Sequence, residues 1–498
     1  MKAFAWGAGW LRQRPAGPRT IAGGRGDPPR GTTWVDRLFS GRWGLAVIFV
    51  VFLGAYLGAS GGRLRQHSLY NHFVYLAEGW LKGRLDMPVP PPNENDWARV
   101  EVLHLKDGRT FKGMFGKIGP TDRFYPLRGP SLTIDNDKIA SRSDIRYVSF
   151  PPFPAVLMVP FVAVVHLRFN DVLFTAIWAA INPVLLFLLL GRLRARGYSK
   201  RGVVDDLWLT VMFGVGSVYY FSSVIGQVWF TAHVVAVTCV IGYAWASLDA
   251  AHPVLAGLCV GFGYATRTPL GFMVPFFVFE AVRATGGWQR LRKLRGEGLP
   301  PGLLSKLVRF AVPSGAILAA LLAHNYLRFE QFTEFGHKYL NIGWQDRIQR
   351  WGLVNYHFLS RNLTCALLLL PRVLTQYPFL KVSEHGMSML LTTPSLGYTV
   401  APAERSPLAR GLWFSILATA IPSLLYQNSG FLQFGYRFSL DYIVFLVMLL
   451  AVGGRKFTWL FKTLIIFGIA VNLFGAIVFD RFGGVFAYSD TFFPHGNN

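Results

Sequence analysis

Long apolar runs separated by short basic segments dominate the chain, and their alternation predicts a bundle of membrane-spanning helices. A span needs roughly 17 to 25 apolar residues. Runs of this kind lie at 43–60, 172–190, 205–225, 228–247, 308–326, 410–426, 440–453 and 457–478. A further stretch, 154–167, is short, opens after Pro151-Pro152-Phe153-Pro154 and contains Pro160. It predicts an interfacial or re-entrant helix that does not cross. Val254 to Ala265 and Pro269 to Val282 predict a short in-and-out pair broken at Thr266-Arg267-Thr268-Pro269. Residues 327–400 must contain one return whose position the hydropathy pattern leaves open. About eleven crossings result.

One region breaks the pattern. Val100-Glu101-Val102-Leu103-His104-Leu105 and Thr110-Phe111-Lys112-Gly113-Met114-Phe115 alternate with period two around Asp107-Gly108, the signature of a hairpin with a type I′ turn. More strand follows at 131–134 and 145–149. The sequence therefore predicts an all-α polytopic membrane protein with a small β insertion, 99–149, in the first outer loop.

Composition strengthens this reading. The chain is 52% hydrophobic and 15% charged, with a mean hydropathy of +0.34, too apolar for an ordinary soluble protein of 498 residues. Its net charge of +24 would suggest nucleic acid in a soluble chain. Here the basic residues collect between apolar runs, as cytoplasmic loops do, and no nucleic-acid partner is implied. Arg19, Arg25, Arg30, Arg37 and Arg42 precede the first run and place the N-terminus inside. Arg192, Arg194, Arg196, Lys200 and Arg201, then Arg290, Arg292, Lys293, Arg295, Lys306 and Arg309, then Arg455 and Lys456, fall inside in turn. The expected organisation is a disordered basic cytoplasmic tail (1–42), a transmembrane domain (43–480) and an outer C-terminal tail (481–498). Three cysteines, Cys239, Cys259 and Cys365, are scattered without metal spacing. No cofactor is implied and no divalent metal is indicated.

The polar residues with chemical potential lie at the outer ends of spans. Arg267 interrupts two short apolar helices, and an ionisable residue there is a functional candidate by default, against the plainer reading that it sits at headgroup level. Arg437, in Tyr436-Arg437-Phe438-Ser439-Leu440-Asp441, either snorkels or pairs with Asp441, or binds substrate. Two guanidinium groups at one level suit a phosphate, onto whose oxygens they fork. Asp96 is the first candidate general base, with Asp86 and Glu94 behind it; the plainer role for a loop Asp is a turn or cap. Gln227, His233, Glu334 and His337 are candidate substrate contacts. Each has an alternative as a packed or solvated residue.

The order of these elements resembles the GT-C superfamily of integral membrane glycosyltransferases. The likeness covers most of 43–450. It rests on the first-loop helix around Asn71-His72-Phe73-Val74-Tyr75-Leu76-Ala77, on Phe150-Pro151-Pro152-Phe153-Pro154, on the break at Arg267, on Asn325-Tyr326-Leu327-Arg328-Phe329 through Glu334-Phe335-Gly336, and on Gly435-Tyr436-Arg437-Phe438-Ser439-Leu440-Asp441-Tyr442. The resemblance implies an inverting transfer of a sugar from a polyprenyl-phosphate donor to a hydroxyl of a lipid, glycan or protein, outside a bacterial inner membrane. Arg267, Arg437, Asn71, His72, Tyr75, Gln227, His233, Glu334, His337 and Tyr436 would then bind substrate, and membrane lipids would surround the chain. Departures are plain: Asn71 stands where the family has a catalytic Asp, and Phe150 where several members have Lys. Two other functions fit the same features: a transporter or flippase of lipid-linked substrate, and a non-catalytic assembly subunit. No internal repeat supports the transporter.

Overall fold

The computed structural model describes residues 34–39, 41–116, 123–288, 299–340, 342 and 345–489. The expected tail up to residue 33, the basic segment Arg290 to Arg295 and residues 490–498 lie outside these. Within the expected tail, Trp34–Phe39 is helical (α1).

The apolar runs form helices α2 (Arg42–Ser60), α5 (Asp171–Ala195), α6 (Val203–Gly214), α7 (Tyr219–Ile225), α8 (Gln227–Ser247), α9 (Pro253–Tyr264), α10 (Pro275–Ala284), α11 (Leu303–Phe329), α12 (Ala409–Leu424), α13 (Ile443–Val452) and α14 (Trp459–Phe474). Between α2 and α5 lie α3 (His72–Leu81) and α4 (Phe153–Val165). Among the described residues, five helical stretches are long and apolar enough to cross a membrane: 42–65, 171–195, 227–250, 303–329 and 459–479. The pair α6 and α7, bent by 54°, adds a sixth if it is one span. These mark the chain as a membrane protein. The sequence count of about eleven is larger because it includes runs whose helices are too short or too broken to qualify, such as α9, α10 and α13.

Polar ties set the packing. Asn182 of α5 donates to the Tyr219 hydroxyl (2.7 Å) and the Val234 carbonyl (2.9 Å), and accepts from Thr238 (2.7 Å). Such interhelical bonds contribute about 0.6 to 2 kcal/mol each in an apolar medium.

The basic segments collect at one end of the bundle. There Arg196 and Arg283 both reach Asp249 (2.5 Å each), Lys306 donates to the Ala250 carbonyl, and Arg455 donates to that of Ala401. The opposite end carries α3, α4 and the β insertion. The insertion is an antiparallel sheet of β1 (Trp97–Leu105), β2 (Thr110–Phe115), β3 (Arg123–Pro126), β4 (Leu132–Thr133) and β5 (Ile139–Val148), in the order β4-β3-β2-β1-β5. Gly108, at φ +86°, makes the first turn, but not as the expected type I′: Asp107 is not at positive φ, and the Gly108 N–H donates to the Leu105 carbonyl (3.0 Å), a three-residue loop closed by a left-handed glycine. The sheet is fastened to the bundle by Arg328 of α11, which donates to the Val148 carbonyl (2.5 Å).

The return left open by the sequence runs through Met389–Thr392 and Pro394–Val400. It leads from Ser388, bonded to Leu369, to Ala401 at the basic end. Helix α4 lies against α3 and shows Val156, Phe161, Val164 and Val165 outward.

Candidate functional site

A cavity of about 430 Å³ opens at the end opposite the basic segments, and Asp96 and Arg437 both line it. Asp96 ends the proline-rich loop before β1 and takes a left-handed conformation, φ +61°, which a short polar side chain tolerates. The loop is held from below. The His72 ring stacks on buried Trp97, centroids 3.7 Å apart, and its Nε2 donates to the Asn95 carbonyl (3.3 Å). Tyr75 meets the other edge of Trp97 at 5.4 Å. Thus α3 positions the loop rather than lining the cavity. Burial pushes the Asp96 carboxyl up to about 6, opposed by the Trp229 indole, which donates to Oδ2 (2.9 Å), and by the charge of Arg437.

Arg437 is 5% exposed. Its Nη1 donates to the Phe431 carbonyl (3.2 Å) and its Nε has no hydrogen-bond partner. The guanidinium lies over the rings of Phe230 (5.2 Å) and Phe438 (5.6 Å). Burial, then the neighbouring charge of Arg267, lowers its pKa to about 9. Arg267 faces the same Phe438 ring at 5.3 Å, so the two guanidinium groups converge. Asp441 does not pair with Arg437; it receives both arms of Arg267, Nε at 2.6 Å and Nη2 at 2.9 Å. His233, fully buried, places Nδ1 3.6 Å from the same carboxylate. Arg267 is therefore neutralised within the protein, and Arg437 is the cation that faces the cavity.

Other walls come from distant segments. Gln227 begins α8 at φ +62° and lines the cavity with Tyr70 and Trp229, whose rings lie 4.8 Å apart. The backbone N–H of Gln227 donates to Asp171 (3.1 Å), which also accepts from the Ser68 N–H (2.7 Å) and hydroxyl (2.6 Å). Asp171 thus ties the starts of α5 and α8 to the loop after α2. Sequence reasoning missed it, although a lone carboxylate one residue outside an apolar run was the available signal. Glu384, Asn428, Asp480 and residues 483, 484 and 487–489 also line the cavity; the expected C-terminal tail therefore contributes to it in its first part.

Several candidates stand elsewhere. Asp86 pairs with Arg84 (2.6 Å), whose guanidinium holds it below the usual carboxylate range. Glu94 pairs with Arg146 (3.0 Å). Both are engaged in salt bridges and neither lines the cavity. Glu334 caps the Gly336 N–H (2.8 Å) and meets Lys338 at 3.4 Å, and half-buried His337 follows it; neither lines the cavity. Tyr436 is buried behind Arg437 against Cys365 and Ala366. Asn71 is buried at the start of α3, 3.4 Å from His67. No group of three or more metal-ligating side chains occurs among the described residues.

Fold and site together define a polytopic membrane protein with a buried cationic and acidic cavity at one end of its helices. No family model and no curated protein matches the chain. Among solved structures, it is similar to the apo oligosaccharyltransferase of Archaeoglobus fulgidus, at 10% identity and a TM-score of 0.40, over 88% of this chain and 57% of that one. The chain thus spans little more than half the length of that enzyme, and a likeness so distant carries no inference about activity.

Proposed function

We propose that the protein is a GT-C-type glycosyltransferase that moves a sugar from a polyprenyl-phosphate donor to an acceptor hydroxyl. The observation that carries this reading is the pairing, in one cavity, of a buried arginine lacking a close carboxylate with an acid whose second oxygen is open. Trp229 occupies Oδ2 of Asp96, and no hydrogen bond among the described residues engages Oδ1. The order of motifs in the sequence supports the same reading.

In the reaction, the acceptor oxygen attacks the anomeric carbon from the face opposite the phosphate. The bond from that carbon to the phosphate oxygen breaks, the acceptor proton passes to Asp96 Oδ1, and polyprenyl phosphate leaves. Arg437 binds the phosphate and opposes the charge that grows on it. Arg267, fixed and neutralised by Asp441, does not contact substrate, and Tyr70 and Trp229 supply flat faces for a sugar ring. With a carboxyl that titrates near 6, Asp96 is mostly ionised at neutral pH and still basic enough to accept a proton.

Purified protein given radiolabelled polyprenyl-phosphate hexoses and pentoses tests this. Transfer is expected from at least one donor, lowered about 10²-fold or more by Arg437→Ala and about 10² to 10⁴-fold by Asp96→Asn. Undiminished transfer in both variants would remove the site, and the absence of transfer from every lipid donor would remove the activity.

A further inference from the structure

A second concavity, of about 1270 Å³, lies on the outer flank of α4 and α5 and shares no lining residue with the cavity of Asp96 and Arg437. Its walls are apolar: Phe161, Val164 and Val165 of α4 face Leu173, Ile177 and Ile181 of α5. Only one end is polar. There the carboxylate of Glu78, 3% exposed, is held by Lys82 (3.0 Å) and His166 (3.2 Å), and Arg168 stands exposed beside them.

We propose that this trough is a binding site for an anionic diacyl phospholipid of the surrounding bilayer. Its phosphate would lie between Lys82 and Arg168, and an acyl chain would run along α5 from Leu173 toward Ile181. Three features carry the assignment. The trough is open on the flank that an apolar helix turns to lipid, and its polar groups gather at the end of the bundle where headgroups would lie. Lys82 and His166 hold the one carboxylate and Arg168 lines the same trough, so Lys82 and Arg168 outweigh Glu78 and the mouth has a net positive charge that a phosphate would complement. Lys82, on a flexible stem and half exposed, can serve Glu78 and a phosphate together. The trough shares no lining residue with the cavity of Arg437, which favours a resident phospholipid over the reactive polyprenyl phosphate of the proposed reaction. Occupancy would also brace α3 against α4, and α3 is the helix that carries His72 beneath the Asp96 loop.

Native mass spectrometry of the full chain in detergent, titrated with dioleoyl phosphatidylglycerol, dioleoyl phosphatidylcholine or undecaprenyl phosphate, tests the site. One tightly held phosphatidylglycerol is expected, in preference to phosphatidylcholine. The double variant Lys82→Gln/Arg168→Gln should bind it roughly tenfold or more weakly. Ile177→Trp, which fills the trough and leaves the charges, should also lose it, while Lys82→Arg should retain it. The melting temperature of each variant, read in the same detergent, separates loss of binding from loss of fold. Equal retention of the two phospholipids, undiminished binding by the double variant, or displacement of phosphatidylglycerol by equimolar undecaprenyl phosphate would each overturn the proposal. None of these readouts depends on sugar transfer.

Discussion

Asp96 carries two opposite pH dependences. An aspartate in an unfolded chain titrates near 3.9, and burial raises this one to about 6 in the fold. The folded state therefore holds the proton more tightly. The stabilisation is fully present below about pH 4 and falls as pH rises through about 6. A general base needs the ionised form, so transfer should rise over the same interval. Asp96→Asn should abolish both trends: its unfolding midpoint should lack the decline that wild type shows between pH 4 and 6, and its residual transfer should be flat with pH. Trp229→Phe removes a donor that favours the carboxylate, so the acidic limb of kcat/KM should move to higher pH. A limb that stays put would mean that another group sets it. At this scale the sequence was informative where apolar surroundings made a charge conspicuous, as at Arg267 and Arg437. It left open a pair of Arg437 with Asp441, which a spacing of i to i+4 would favour on an α-helix. Residues Arg437–Asp441 form a 3₁₀ helix, where three residues make a turn and the fifth points a third of a turn away. Asp441 is thereby released to Arg267.

Among the elements, period-two alternation located the hairpin of the β insertion and period-free apolar runs located the long helices. Met389–Val400 escaped because it returns between the two ends through two short helices, below any span-length criterion. Close packing explains how the broken helices hold. On α9, a Cβ added at Gly257 would meet the Phe310 carbonyl oxygen at 2.1 Å, and one at Gly261 would meet Ile317 at 2.4 Å. Two glycines four residues apart thus let α9 lie directly on α11, the small-residue contact by which helices associate in lipid. Gly257→Leu should lower stability by about 2 kcal/mol or more, since the obstacle is backbone and cannot rotate away. Gly54 of α2 has nothing within 4 Å of its would-be Cβ, so Gly54→Ala should be neutral or gain about 0.5 to 1 kcal/mol. Thermal unfolding of the two variants in detergent compares them. Similar midpoints would show that the α9 and α11 contact yields more easily than its geometry implies.

At the scale of the whole molecule, charge and site segregate. Arg196, Lys200, Arg201, Arg283, Lys306 and Arg455 engage partners at one end, and Asp96, Arg437 and the β insertion occupy the other. Short basic loops are retained on the cytoplasmic side, whereas long inserted segments translocate largely regardless of their charge. The arginines and lysines of the β insertion therefore do not oppose an orientation set by the short loops, and the cavity is expected to face away from the cytoplasm. Single cysteines test this in a background in which Cys239, Cys259 and Cys365 are alanine. Asp137→Cys, exposed on the insertion, should react with an impermeant maleimide in intact cells. Lys200→Cys, whose native side chain is 78% exposed, should react only after permeabilisation. The reverse pattern would put Asp96 and Arg437 on the cytoplasmic face, where nucleotide-linked sugars become the donors to test in place of lipid-linked ones. The geometry of the cavity would be unchanged, but a polyprenyl carrier would no longer be the donor that its orientation favours.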